Sequence, residues 1–144
     1  MVAQSTVPDF FQEETTDALR SQVEWLTQEI GVDNSFFARL VGTDEVTFSK
    51  WRACESELPP GGEDTLRQFW GTMGHLLSFM NFDVERIRGL FEHVVPTRKE
   101  GYPSLVLPWS GSSLKKYFER SGSEGIEKVG RWVTGLRFGD PYTA

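Results

Sequence analysis

The chain has 144 residues, a net charge of −6 and one cysteine. This length accommodates one ordinary domain or two very small ones. A single cysteine excludes an internal disulfide and a thiolate metal site. No apolar run approaches the roughly 18 residues of a membrane span, and the first residues lack the pattern of a secretory signal. We therefore expect a cytoplasmic protein that does not enter a membrane.

No residue pattern typical of catalysis occurs in the chain. We find no nucleophile elbow, phosphate-binding loop or cluster of carboxylates with histidine. His75 and His93 are too far apart in sequence for a helical metal pair. The lone Cys54 ends a predicted helix, a position typical of a small packing residue. We expect a protein that is not an enzyme and uses no metal or cofactor.

The charged residues are unevenly distributed along the chain. Residues 1–96 contain 7 basic and 16 acidic side chains, and residues 97–144 contain 8 basic and 5 acidic ones. The two parts therefore carry net charges of −9 and +3. Such asymmetry indicates that the two parts meet different partners.

The first predicted elements are a polar arm and a helix. Residues 1–15 are mostly polar, with Phe10 and Phe11 as the only large apolar pair, and we predict a flexible arm. A helix follows, capped by Thr16 or Asp17 and ended by Gly31. Its apolar residues recur at spacings of three and four: Leu19, Val23, Leu26 and Ile30.

Residues 36–52, FFARLVGTDEVTFSKWR, predict a helix, a glycine turn and a second helix. Gly42 falls where the chain needs a positive φ, and Ala38 where the two helices approach closely. Phe48 and Trp51 share one face of the second helix. This is the outline of a helix-turn-helix, although two amphipathic helices that happen to turn at a glycine would show the same pattern.

The outer face of that second helix carries the candidate DNA-binding residues. In a helix-turn-helix such residues face the major groove. The set is Glu45, Thr47, Ser49, Lys50 and Arg52. Because Asp44 and Glu45 open this helix and only two cations offset them, we expect weak binding to phosphate.

Two further helices complete a predicted domain over residues 16–96. The segment ESELPPGGED breaks the chain, and the strongest helical periodicity follows it, ending at a turn over residues 81–83. The apolar residues before this turn are Leu66, Phe69, Trp70, Met73, Leu76, Leu77 and Met80. Those after it are Val84, Ile87, Leu90, Phe91 and Val94.

Residues 97–144 predict a C-terminal interaction region. Ser112 or Ser113 caps a helix that ends at Gly122, and Ser123 begins another. We predict an all-α fold: a small helical bundle containing a helix-turn-helix, followed by a helical hairpin and a tail.

The C-terminal region also carries the candidate partner-binding residues, which are basic or aromatic. They are Lys115, Lys116, Arg131, Arg137, Phe138 and Tyr142. Trp109, Tyr117 and Trp132 are further aromatic candidates for an interface. Since an amphipathic helix buries one face, we expect the helical aromatics, Phe118 included, to close the hairpin core instead.

The stretch LVGTDEVTFSKWRA resembles the Xre-type helix-turn-helix regulators, although Cys54 stands where many of them have glycine. The stretch GSSLKKYFERSGSEGIEKVGRWVTG resembles the toxin-binding domain of the Xre/MbcA/ParS antitoxins, with serines where a proline often precedes the first helix. The resemblance implies an antitoxin whose partner is a RES-type toxin, an enzyme that degrades NAD. It also implies that the C-terminal region covers the toxin's cleft and that a homodimeric helix-turn-helix half binds promoter DNA.

Two other functions fit the same pattern. The chain could be a stand-alone helix-turn-helix transcription regulator whose C-terminal part serves dimerisation or effector sensing. It could also be an interaction module whose helix-turn-helix has lost DNA binding. The strength of DNA binding by the chain alone separates these hypotheses, because a plain regulator depends on DNA alone.

Overall fold

The computed structural model describes residues 15–94, 108–109 and 111–138, with only the backbone described for residues 136–138. Across these ranges the regular structure is helical and contains no strand, which confirms the predicted all-α class. The α-helices are α1 Thr16–Trp25, α2 Asn34–Val41, α3 Glu45–Arg52, α4 Gly62–Phe79, α5 Val84–Glu92 and α6 Leu114–Phe138. The predicted arm, apart from Thr15, and the predicted boundary after residue 96 lie outside the described residues.

Helix α1 starts one residue earlier than either predicted cap allows. The Thr15 side chain accepts a hydrogen bond from the Ala18 backbone N–H at 3.1 Å, so Thr15 is the N-cap. The helix continues as a π-helical turn over Leu26–Ile30. It ends at Gly31, with φ of 90°, where the sequence predicted its end.

Helices α2 and α3 are joined at Gly42, which adopts φ of 81°, as its position predicted. Each helix has an aspartate N-cap: Asp33 accepts from the Phe36 N–H at 2.9 Å and Asp44 from the Thr47 N–H at 2.7 Å. These caps satisfy backbone donors that the first turn leaves unpaired. The local sequence thus accounts for both helix starts and for the turn.

Helix α4 begins inside the predicted break. Gly62, Glu63 and Asp64 are already helical, because carboxylates in a first turn interact favourably with the N-terminal end of the helix dipole. At its other end Asn81 and Phe82 form a turn, and the Asp83 side chain caps α5. The predicted turn over residues 81–83 is confirmed.

Helix α6 contains a break at Gly122, where φ is 62° and ψ is −140°. Its start is capped by Ser113, whose Oγ accepts from the Lys116 N–H at 3.2 Å. The two helical segments predicted on either side of Gly122 are both present. The second segment runs in the same direction as α4, since Gln68 bonds to Ser123 and Thr72 to Ile126 further along both helices.

A single aromatic core joins the N-terminal helices to α6. The Phe69 ring on α4 lies 5.4 Å from Phe36 and 6.0 Å from Phe37, both on α2. It also lies 5.5 Å from Phe118 on α6. All four side chains are fully buried. The aromatic side chains between α2 and α3 are therefore one part of a larger continuous core.

We predict that Gly125→Ala destabilises the fold by about 1–3 kcal/mol, the usual cost of forcing atoms into a packed site. A Cβ at Gly125 would overlap the Ser121 Cβ, so one of the two residues would have to shift. Chemical denaturation measures the change. The matched control is Gly71→Ala, on an open face of α4, where alanine should add about 0.5–1 kcal/mol. Equal stability of the two variants would contradict this packing.

Candidate functional site

The α3 face holds the five candidate DNA-binding residues, but they differ in exposure. Glu45, Ser49 and Lys50 are exposed, whereas Thr47 and Arg52 are partly buried. The helix buries Phe48 and Trp51 on its opposite side, as their spacing predicted.

Two of these candidates bind a residue at the start of α2. The Asn34 Nδ2 donates to the Ser49 Oγ at 2.9 Å, and the Arg52 Nη1 donates to the Asn34 Oδ1 at 2.7 Å. These side chains therefore hold α2 against α3. Lys50 is the exposed cation of the α3 face.

The head of α3 is negatively charged. The pKa of the exposed Asp44 carboxyl lies below its ordinary value, mainly because the Thr47 backbone N–H donates a hydrogen bond to it. The Thr47 side chain and the charge of Lys50 act in the same direction. Asp44 is thus held as a carboxylate beside the exposed Glu45, an arrangement that repels phosphate.

Trp51 is fixed by residues distant in sequence. The Arg20 guanidinium lies 5.0 Å from the centre of its ring and donates to its backbone carbonyl at 2.7 Å. The Trp51 indole N–H donates to Glu63 at 3.4 Å, and Glu63 also pairs with Arg67 at 3.1 Å. An open cleft of about 480 Å³ lies here, lined by both acidic and basic side chains. Sequence spacing carries no signal for this network.

The end of α3 corrects the interpretation of Cys54. Its side chain is exposed, so it is not a packing residue. Cys54 has φ of 64°, and the Glu55 N–H donates to the Lys50 carbonyl at 2.7 Å, which closes the helix. This is the helix-ending position that glycine normally occupies.

We predict that Cys54→Gly stabilises the protein by up to about 1.5 kcal/mol. Relief of the left-handed conformation is worth about 1–2 kcal/mol, and the greater freedom of glycine in the unfolded chain removes up to about 1 kcal/mol of this. Urea denaturation under reducing conditions measures the change. Cys54→Ala is the control and should give no gain, because alanine keeps a Cβ. A Cys54→Gly protein less stable than wild type would refute the explanation.

Helix α6 carries some of the candidate partner-binding residues, Lys115 and Lys116 before the break at Gly122 and Arg131 after it. Lys116 and Arg131 are exposed, and Arg131 pairs with Glu127 at 3.4 Å. Lys115 is partly buried and lies 3.8 Å from Asp33. The side chains of Arg137 and Phe138, and the whole of Tyr142, lie outside the described residues.

Helix α6 meets α2 at a second open cleft, of about 320 Å³. Here Arg39 pairs with Glu119 at 3.1 Å, beside the pair formed by Lys115 and Asp33. The α6 face and the α2–α3 pair are therefore in direct contact. Both cations and carboxylates line this cleft, so it favours no single sign of ligand charge.

The helical aromatics of the C-terminal region belong to the core, as expected. Tyr117, Phe118 and Trp132 are buried. Trp109 is buried as well, packed edge-on against Trp132 at 5.3 Å. Its interpretation as an interface anchor is therefore wrong, because the ring is 1% exposed. Trp109 precedes α6, and no periodicity marked it as core.

Comparison of the chain with family models, curated proteins and solved structures found no match. Within the described ranges, no three or more His, Cys, Asp or Glu side chains come together as a metal site would require. No helix of those residues combines the length and apolar character needed to cross a membrane.

Proposed function

We propose that this chain is an antitoxin that binds and neutralises a RES-type, NAD-degrading enzyme through its C-terminal region. In this proposal the α2–α3 pair contacts promoter DNA only weakly when the chain acts alone. The chain itself performs no reaction. Dimerisation and partner binding supply the additional affinity for DNA that one α2–α3 pair does not provide.

The distribution of charge is the observation that supports the proposal most. Residues 44–57, which include α3, carry 4 acidic and 2 basic side chains. Helix α6, Leu114–Phe138, carries 6 basic and 3 acidic ones. Among the α-helices of the described residues, α6 has the largest excess of basic over acidic residues. Complementary charge speeds association and selects the partner, so an acidic protein surface is the partner that α6 favours.

The attachment of α6 to the core is a second observation that supports the proposal. Phe118, Ile126, Val129 and Val133 are completely buried, so the exposed cations stand on a helix fixed to the core. A binding surface on a rigid element loses little conformational entropy when its partner binds. The α6 face thus has the physical properties of a preformed protein interface.

The charge proposal predicts that Lys116→Glu/Lys128→Glu weakens partner binding by about tenfold or more at low salt, because reversed rim charges slow association. The test co-expresses the adjacent reading frame with each variant and follows growth and cellular NAD. Lys50→Glu/Arg86→Glu is the matched control, since it changes the net charge equally on other exposed positions. The control should still neutralise. If the product of the adjacent reading frame is harmless, the proposal is wrong. If both double variants neutralise it equally well, α6 does not form the interface.

The α3 face predicts weak DNA binding by the isolated chain, with a dissociation constant of about 10⁻⁶ M or weaker at physiological salt. Fluorescence anisotropy with the upstream DNA, with and without the partner, measures it. Tight, sequence-selective binding by the chain alone would favour the stand-alone regulator. Absence of DNA binding even by the complex would favour the interaction module.

A further inference from the structure

One side chain at the start of α2 binds two residues of the α3 face. Asn34 is the first residue of α2, and both ends of its amide are engaged. Its Nδ2 donates to the Ser49 Oγ at 2.9 Å, and its Oδ1 accepts from the Arg52 Nη1 at 2.7 Å. Hydrogen bonds from a charged donor are stronger than those between neutral groups. The Arg52 guanidinium is therefore held at the junction of α2 and α3.

The group that holds Arg52 is uncharged, unlike the partners of four other arginines in the described ranges. These four pair with carboxylates and are Arg20, Arg39, Arg67 and Arg131. A carboxylate offsets the charge of its partner, whereas an amide oxygen orients the guanidinium and leaves its charge in place. The bond to Asn34 therefore fixes the position of Arg52 without neutralising it.

Arg52 and Lys50 differ in their access to a ligand. Both cations lie in the last turn of α3. Lys50 is exposed, whereas Arg52 is partly buried and bonded to Asn34. Because the Arg52 guanidinium lies against α2, it has to leave Asn34 before it can extend toward a phosphate of DNA. Asn34 and a phosphate are thus alternative partners of the same side chain.

We propose that Asn34 makes an autoinhibitory contact, which withholds Arg52 from the DNA backbone and so lowers the affinity of the chain for DNA. This inference rests on the proposed function, in which the α2–α3 pair contacts DNA. Each phosphate that a cation neutralises adds to the affinity and to its dependence on salt. Release of Arg52 gives α3 a second phosphate contact beside Lys50.

The carboxylates around Arg52 do not alter this comparison. Glu45 lies seven residues before Arg52, about two helical turns away, and Glu55 follows it after the end of α3. Asp33, next to Asn34 in sequence, caps α2 and lies 3.8 Å from Lys115. These carboxylates repel phosphate with or without the Asn34 side chain, so a change at Asn34 reports on Arg52 alone.

The decisive variants are Asn34→Ala and Asn34→Asp, which should change DNA affinity in opposite directions. Alanine releases Arg52, so we expect affinity to rise about 2- to 10-fold and the slope of log K against log salt to steepen by about 0.9. Aspartate gives Arg52 a charged partner, so affinity should fall below that of the wild type. Fluorescence anisotropy of the full chain with a duplex of the upstream DNA measures both quantities. If Asn34 were purely structural, both variants would unfold at a lower temperature and neither would bind DNA more tightly.

Three controls identify the group that is released. In a double-mutant cycle, Asn34→Ala/Arg52→Ala should bind DNA no more tightly than Arg52→Ala alone. Gln28→Ala removes an exposed amide that bonds to Glu24 and should leave affinity unchanged. Since phosphate contacts carry no sequence information, Asn34→Ala should gain the same factor on an unrelated duplex of equal length.

Each remaining outcome overturns the inference. Unchanged or lower affinity of Asn34→Ala, with the wild-type chain and its partner still binding the upstream DNA, would refute autoinhibition and leave the proposed function standing. A gain that persists in the double variant would show that Arg52 is not the group released. A gain confined to the upstream duplex would show a base contact and refute the phosphate contact. Absence of DNA binding by every protein, even with the product of the adjacent reading frame, would refute both the inference and the DNA-binding part of the proposed function.

Discussion

The packing of Phe69 joins the α2–α3 pair to α6 through α4. This one ring on α4 contacts Phe36 and Phe37 on α2 and Phe118 on α6. The α2–α3 pair and the cationic helix are therefore fixed to the same side of α4. Burial of a phenylalanine side chain contributes about 1.5–3 kcal/mol to the stability of a fold. Loss of the Phe69 ring would therefore weaken the core and also loosen the attachment of the α2–α3 pair and α6 to each other.

The shared core determines how the two surfaces can influence each other. Lys115 faces Asp33, the cap of α2, and Arg39 pairs with Glu119. Exposed ion pairs of this kind contribute about 0–1 kcal/mol each, so a partner that displaced them would change the α2–α3 pair little. The buried aromatic contacts are stronger and leave the geometry fixed. In the proposed function, a bound partner would act on DNA binding through its own charge or by joining copies, and less by reshaping α3.

Local sequence patterns predicted the helices but could not predict contacts between residues that are distant in sequence. The positive φ of Gly42 and the turn before α5 follow from residue type and spacing alone. The burial of Trp109 and the use of Arg52 to hold Asn34 depend on tertiary neighbours, for which one sequence carries no spacing signal. For the same reason the basic C-terminal region could be identified from the sequence, whereas the exposure of Phe79 and Phe82 could not.

The charge of α3 sets a limit on what this helix can do alone. Each phosphate contact contributes about 0.9 to the slope of log K against log salt, so affinity grows with the number of cations that reach the backbone. On the α3 face Lys50 is exposed, Arg52 binds Asn34, and Asp44 remains a carboxylate. One contact beside two carboxylates supplies little attraction, and a second copy doubles the repulsion as well as the contact. Tight DNA binding by an assembly would therefore require cations from outside the α3 face.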